Sequence, residues 1–121
     1  MLRLNGALAK GSLGAKTRES IALAVAQVNG CEHCLAAHTY LGTHVAKLDA
    51  AEIAANRNAS SFDPKADVAV GFAVKLVTER GQVGDADITA LASAGYTEAE
   101  IVEIVAHVAL NTLTNYINSA F

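Results

Sequence analysis

Six stretches of the chain carry apolar residues at helical spacing, and no segment alternates strictly between apolar and polar, as a half-buried strand would, over more than a few residues. The first, from about Thr17 to Asn29, differs from the rest. Its IALAVA segment is apolar on every face, the mark of a helix enclosed on all sides, and Gly30 supplies its stop. A second helix begins at Cys31 or Glu32, carries Leu35, Tyr40, Leu41 and Val45, and ends near Lys47, with Gly42 permitting a close approach. Asp49 and Glu52 have the form of a capping box opening a short helix to about Arg57, and Asn58 to Phe62 reads as a loop. Asp63 and Pro64 then cap and start a helix whose apolar positions are Val68, Phe72, Val74, Leu76 and Val77, through about Glu79. Gly81 and Gly84 mark a break. Asp85 to Ala94 forms a short helix stopped by Gly95, and a second capping box, Thr97 with Glu100, launches the last helix through about Ser119.

The pattern predicts an all-α fold, one compact helical domain over residues 1–121 with six helices, short loops and no linker. Apolar residues make up 52% and charged residues only 17%, too little charge to cover a monomer of this size, which points to self-association. A net charge of −3 gives no electrostatic footprint for nucleic acid or an anionic membrane surface. No apolar run approaches the ~20 residues that span a bilayer, and the N-terminus has no apolar core of a secretory signal. A soluble protein in the reducing cytoplasm is expected. A bridge between Cys31 and Cys34, the only cysteines, would close so short a loop that it restrains the unfolded chain little, so the pair calls for a chemical reason.

That reason is reactivity. At CxxC spacing where a helix begins, the thiols feel unpaired backbone N–H groups and the positive end of the helix dipole, which can lower a thiol pKa from ~8.5 into the range of about 3.5–7.5. His38 follows Cys34 by four residues, one turn along the same face and in reach to act as a base. Glu19 opens an otherwise apolar helix; it is either solvated on the first turn or buried against a partner, and a histidine–water relay would supply that partner.

Glu19, the twelve-residue step to Cys31, the CEHC segment containing His33 and Cys34, and His38 resemble the AhpD-like alkylhydroperoxidases of the carboxymuconolactone decarboxylase superfamily. The segment from Gly81 to Asn118 is similar to the family's short helix, glycine turn and long apolar helix, so the resemblance covers nearly the whole chain. It implies a thiol peroxidase on an all-helical oligomer: Cys34 as peroxidatic thiol, Cys31 as resolving thiol, Glu19 and His38 as proton relay, and His33 in support. The substrate would be a hydroperoxide, organic rather than inorganic if the alanine and valine around the motif line its approach. The reductant would be an external dithiol of dihydrolipoyl or thioredoxin type, the assembly a homotrimer or homohexamer, and no cofactor or metal is called for. Several family members carry an extra N-terminal helical region, so part of the site's cover is expected from a neighbouring subunit.

Other readings compete. Two thiolates with His33 or His38 could bind zinc, although a second ligand pair is wanting, since His44 and His107 each stand alone. A lyase like the superfamily's namesake decarboxylase needs no dithiol, and a disulfide oxidoreductase or redox sensor would use the pair without peroxide turnover. His107 reads as a satisfied core or interface histidine. Asn111, Asn115, Asn118 and Tyr116 read as helix-surface polarity or as bonds across a subunit contact, and Phe62, Phe72 and Tyr96 as core or loop-packing residues.

Overall fold

The computed structural model describes residues 6–8 and 10–121, so part of the N-terminal segment from which the absence of a secretory signal was read lies outside the described residues. After helical residues 6–8 come six helices: α1 Ala15–Asn29, α2 Glu32–His44, α3 Ala50–Arg57, α4 Pro64–Thr78, α5 Asp85–Ser93 and α6 Glu98–Ala120. The described residues contain no strand.

Helix α1 is the hub, packing against α2, α3, α4 and α6. Ile21 and Val25 face one apolar cluster with Phe72, Leu91, Ile104 and Val108, while Leu23 and Ala26 face a second with Leu35, Leu48, Ile53 and both cysteines. One helix thus serves as the shared wall of two cores, which is why Ser20 through Ala26 are all buried and why IALAVA has no polar face. Each fully enclosed Ile, Leu or Val contributes about 1.5–3 kcal/mol by leaving water.

Local chemistry sets the boundaries. Thr97 and Glu100 form the reciprocal capping box at the head of α6 (Oγ1 accepting from Glu100 N–H at 3.1 Å, Oε1 from Thr97 N–H at 3.0 Å). Asp63 caps α4, with Pro64 in its first turn. At α3 only half of the expected box forms. Asp49 accepts from Glu52 N–H at 2.8 Å, but the Glu52 carboxylate turns to the following loop, accepting from Ser61 Oγ, Phe62 N–H and Asn56 Nδ2. The loop offers two donors and Asn56 of α3 a third, against one at the N-cap, and the carboxylate goes where it satisfies more of them.

Three expectations about side chains are corrected. Phe62 is 75% exposed rather than packed, because the loop tied down by Glu52 turns its ring outward; Phe72 and Tyr96 are buried as expected. Tyr40, Leu41 and Val45 of the second helix's apolar set point to solvent, and α2 buries Cys34, Leu35 and Gly42 instead. Asn111 and Asn115 are buried, not surface polarity, whereas Asn118 and Tyr116 are exposed. Among the described residues no helix is long and apolar enough to cross a membrane.

Candidate functional site around the cysteine pair

The cysteine pair sits where two helices are joined by the shortest of links. Gly30 takes the left-handed conformation (φ 69°), its N–H bonds Gln27 O at 3.2 Å, and the next N–H, that of Cys31, reaches back to Ala26 O at 3.1 Å. Together these form the double hydrogen bond of a Schellman stop. Cys31 is then at once the residue that completes the end of α1 and the N-cap of α2. Its Sγ accepts from Cys34 N–H at 3.2 Å, and its carbonyl accepts from Leu35 N–H at 2.9 Å. Both sulfurs lie in the second apolar cluster, with Cys31 and Cys34 nearly inaccessible, and they are joined as a disulfide across a Cα–Cα distance of 5.2 Å. The sulfurs therefore occupy the helix N-terminus, where unpaired N–H groups and the dipole stabilise negative charge once the bond is reduced.

One turn along α2, His38 Nδ1 lies 3.0 Å from Glu19 Oε1 of α1. Helix α1 starts at Ala15, so Glu19 stands a full turn inside it, not on its first turn. The side chains of His38 and Glu19 keep 21% and 17% of their surface, so the pair is shielded without being cut off from water. Against an ionised carboxylate, Nδ1 carries the hydrogen and donates it, which leaves Nε2 as the ring's free acceptor. Of the residues singled out from the sequence, the structure joins Glu19 to His38 across the α1–α2 interface and Cys31 to Cys34 at the head of α2. His33 lies exposed and is not drawn in; His44 is exposed and packs against Tyr40, the rings tilted by 43° with centroids 4.6 Å apart. No three His, Cys, Asp or Glu side chains among the described residues gather as metal ligands.

Beside the junction runs an open groove of about 580 Å³ with Leu35 and Ala36 along it and Gln27, Glu32, Thr39 and Arg57 as its polar members. Arg57 Nε donates to Gln27 Oε1 at 2.8 Å, tying α3 to the end of α1 at this groove.

Three further polar residues of α6 face α1 or the segment just ahead of it, and the sequence reading named no partner for any of them. Glu103 accepts from the Ser12 and Leu13 N–H groups, at 3.0 and 3.3 Å, just ahead of α1. His107 is buried with Nε2 unpartnered, so it is not a satisfied core histidine within this chain. Burial and the Arg18 charge push its pKa below the usual imidazole value, against the opposing carboxylates of Glu103 and Glu19. Asn115 takes a hydrogen bond from Asn29 at the end of α1. A signal existed for the buried two, His107 and Asn115: with Ile104 and Asn111 they follow one another at steps of three and four, so the polar members stand on the apolar stripe.

A helical bundle whose central helix hands directly into a disulfide-capped second helix, with a carboxylate–imidazole pair one turn on, is the AhpD-like all-α fold. The chain belongs to the carboxymuconolactone decarboxylase family, whose model matches residues 1–75. Among solved structures it is similar to an uncharacterised peroxidase-related protein of Ralstonia eutropha JMP134 described as an alkylhydroperoxidase AhpD core, with 28% identity and a TM-score of 0.86 over 98% of this chain and 65% of that one. A peroxidase-related protein of Silicibacter sp. TM1040 shares the fold, with a TM-score of 0.87 at 24% identity over 98% of this chain and 64% of that one. The chain thus spans just under two thirds of the length of these structures. No curated protein matches its sequence.

Proposed function

We propose that the chain is a thiol-dependent peroxidase that reduces hydroperoxides through the Cys31–Cys34 dithiol and disulfide, within one AhpD-type domain over residues 1–121. The observation that carries this reading is the disulfide at the head of α2 with the His38–Glu19 pair one turn away. In the reduced protein His38, oriented by Glu19, takes the proton of the Cys34 thiol. The thiolate attacks the outer peroxide oxygen; an S–O bond forms, the O–O bond breaks, and the departing alkoxide leaves as the alcohol with the proton held by His38. Cys31 thiolate then attacks the sulfenic sulfur, the S–S bond forms, and hydroxide leaves as water with the Cys31 proton. The pair has lost two electrons and the hydroperoxide has gained them. An external dithiol, of dihydrolipoyl or thioredoxin type, returns the electrons by thiol–disulfide exchange. His33, exposed beside the cysteine pair, would support the site from its solvent side.

Self-association belongs to the same proposal: a homotrimer or homohexamer would cover the apolar residues that α2 and α6 leave in solvent. The decisive experiment mixes reduced protein with hydrogen peroxide and with an alkyl hydroperoxide in a stopped-flow instrument, then weighs the product. A loss of two hydrogens mapped to Cys31–Cys34, at a rate abolished by Cys34→Ser, is expected. If Cys34→Ser keeps the wild-type single-turnover rate and Cys31→Ser loses it, the roles of the two thiols are exchanged; no mass change with either oxidant ends the proposal.

A further inference from the structure

The cysteine turn is also held from behind, by the last helix. Asn29, the final residue of α1, donates from Nδ2 to Asn115 Oδ1 at 3.0 Å and, at 3.4 Å, to Thr112 Oγ1, both on α6. Asn115 is wholly enclosed, and its own Nδ2 has no acceptor. An orphaned buried donor works against folding, and a leucine of similar size on this apolar stripe would remove it, so stability alone does not account for an asparagine here. What the carboxamide does is grip the end of α1. From that grip to the sulfur there is no slack. Asn29 is followed by left-handed Gly30, whose N–H is bonded to Gln27, and then by Cys31, whose N–H is bonded to Ala26. Cys34 needs no such support because it lies inside the hydrogen-bonded frame of α2.

We infer that Asn115 is a positioning residue for the cysteine pair: by holding Asn29 from α6 it keeps Cys31 within bonding reach of Cys34 and so sets how readily the disulfide is reduced. The inference rests on the dithiol cycle proposed above. Its physical basis is the effective concentration of one thiol at the other, which governs the equilibrium between the disulfide and an external dithiol and falls when either sulfur gains freedom.

The test is a redox titration of the folded protein against mixtures of reduced and oxidised dithiothreitol, quenched by alkylation and read by mass, for wild type, Asn115→Leu, Asn29→Ala and the double variant. Each single change should move the equilibrium toward the dithiol by about fivefold to tenfold, the scale of one net hydrogen bond. The double variant should move it no further than Asn29→Ala alone, which already removes both bonds from Asn29 to α6, whereas unrelated structural defects would add. Equilibria equal to wild type, or additive shifts, overturn the inference. Should Asn115→Leu fail to fold, Asn29→Ala at its partly exposed helix end decides, and an unmoved equilibrium there is equally fatal. Variants that match a wild type still turning over peroxide refute the positioning role alone; a wild-type disulfide that no dithiol reduces refutes the peroxidase reading with it.

Discussion

At His107 burial and neighbouring carboxylates pull in opposite directions. Burial and Arg18 disfavour its charged form, Glu103 and Glu19 favour it, and the net effect lowers its pKa below the ordinary 6.5. The folded protein therefore holds this ring neutral where the unfolded chain already binds a proton, so stability is fully present above about pH 6.5 and is lost as pH falls through the folded value. Urea unfolding of wild type at pH 7.5 and 5.5 should show that loss, and His107→Leu should flatten it; equal losses in both proteins would place the acid sensitivity elsewhere. Glu19 and His38 are a residue-scale matter of another kind, because their hydrogen bond orients a base. Glu19→Gln should slow peroxide reduction by the reduced protein by about a hundredfold or more, with little change in melting temperature. A rate within threefold of wild type would leave Glu19 a surface anchor. Glu19, Cys31, Cys34 and His38 were legible in the sequence because they lie within twenty residues on two successive helices. The burial of His107 and Asn115 showed on the apolar stripe but their partners on α1, some ninety positions away, did not, since an isolated histidine or asparagine in a helix names no such partner.

The helices themselves were read well wherever a single residue type decides a boundary. Gly30, Asp63 with Pro64, and Thr97 with Glu100 each act through backbone groups a few positions away, so sequence carries the whole instruction. Glu52 shows where that stops: its carboxylate is claimed by Ser61 and Phe62, and no short-range rule weighs a loop ten residues on against a nearby cap. The inner face of α2 was missed for a related reason. Its apolar residues run round the helix, and only the docking of α1 and α3 selects Cys34, Leu35 and Gly42 as the buried ones. Two substitutions separate element stability from site geometry. Thr97→Ala removes a cap and should cost about 1 kcal/mol, leaving the cysteine chemistry unchanged. Gly30→Ala places a Cβ in the left-handed region and should cost about 1–2 kcal/mol, but in addition it should slow disulfide closure after peroxide addition, because Gly30 is the whole link between Asn29 and Cys31. Equal closure rates in the two variants would show that the turn's conformation does not matter to the sulfurs.

For the whole molecule, α6 has two faces, one packed against α1 and one bare to solvent. The inner face of α6 carries Glu103, His107 and Asn115 against α1, while Val102, Val105, Ala109, Leu113 and Tyr116 lie in solvent on the opposite side. Their spacing of three, four, four and three is that of a seam between packed helices, and with Tyr40 of α2 and Val45 just after it also bare it is more apolar surface than a lightly charged chain of this size keeps in water. A second copy laid on that seam would press α6 toward α1, and so toward the Asn115 grip on the cysteine turn. Association and redox behaviour should then change together. Val105→Glu with Leu113→Glu, both on exposed positions and so without effect on the inner face, should weaken self-association at least tenfold by sedimentation and move the protein toward its 12.5 kDa monomer. In the same preparation the disulfide should become easier to reduce, in the direction given by Asn29→Ala. A wild-type chain that sediments as a monomer at micromolar concentration removes the association; a dissociated variant whose disulfide titrates as wild type breaks the link between the two faces of α6.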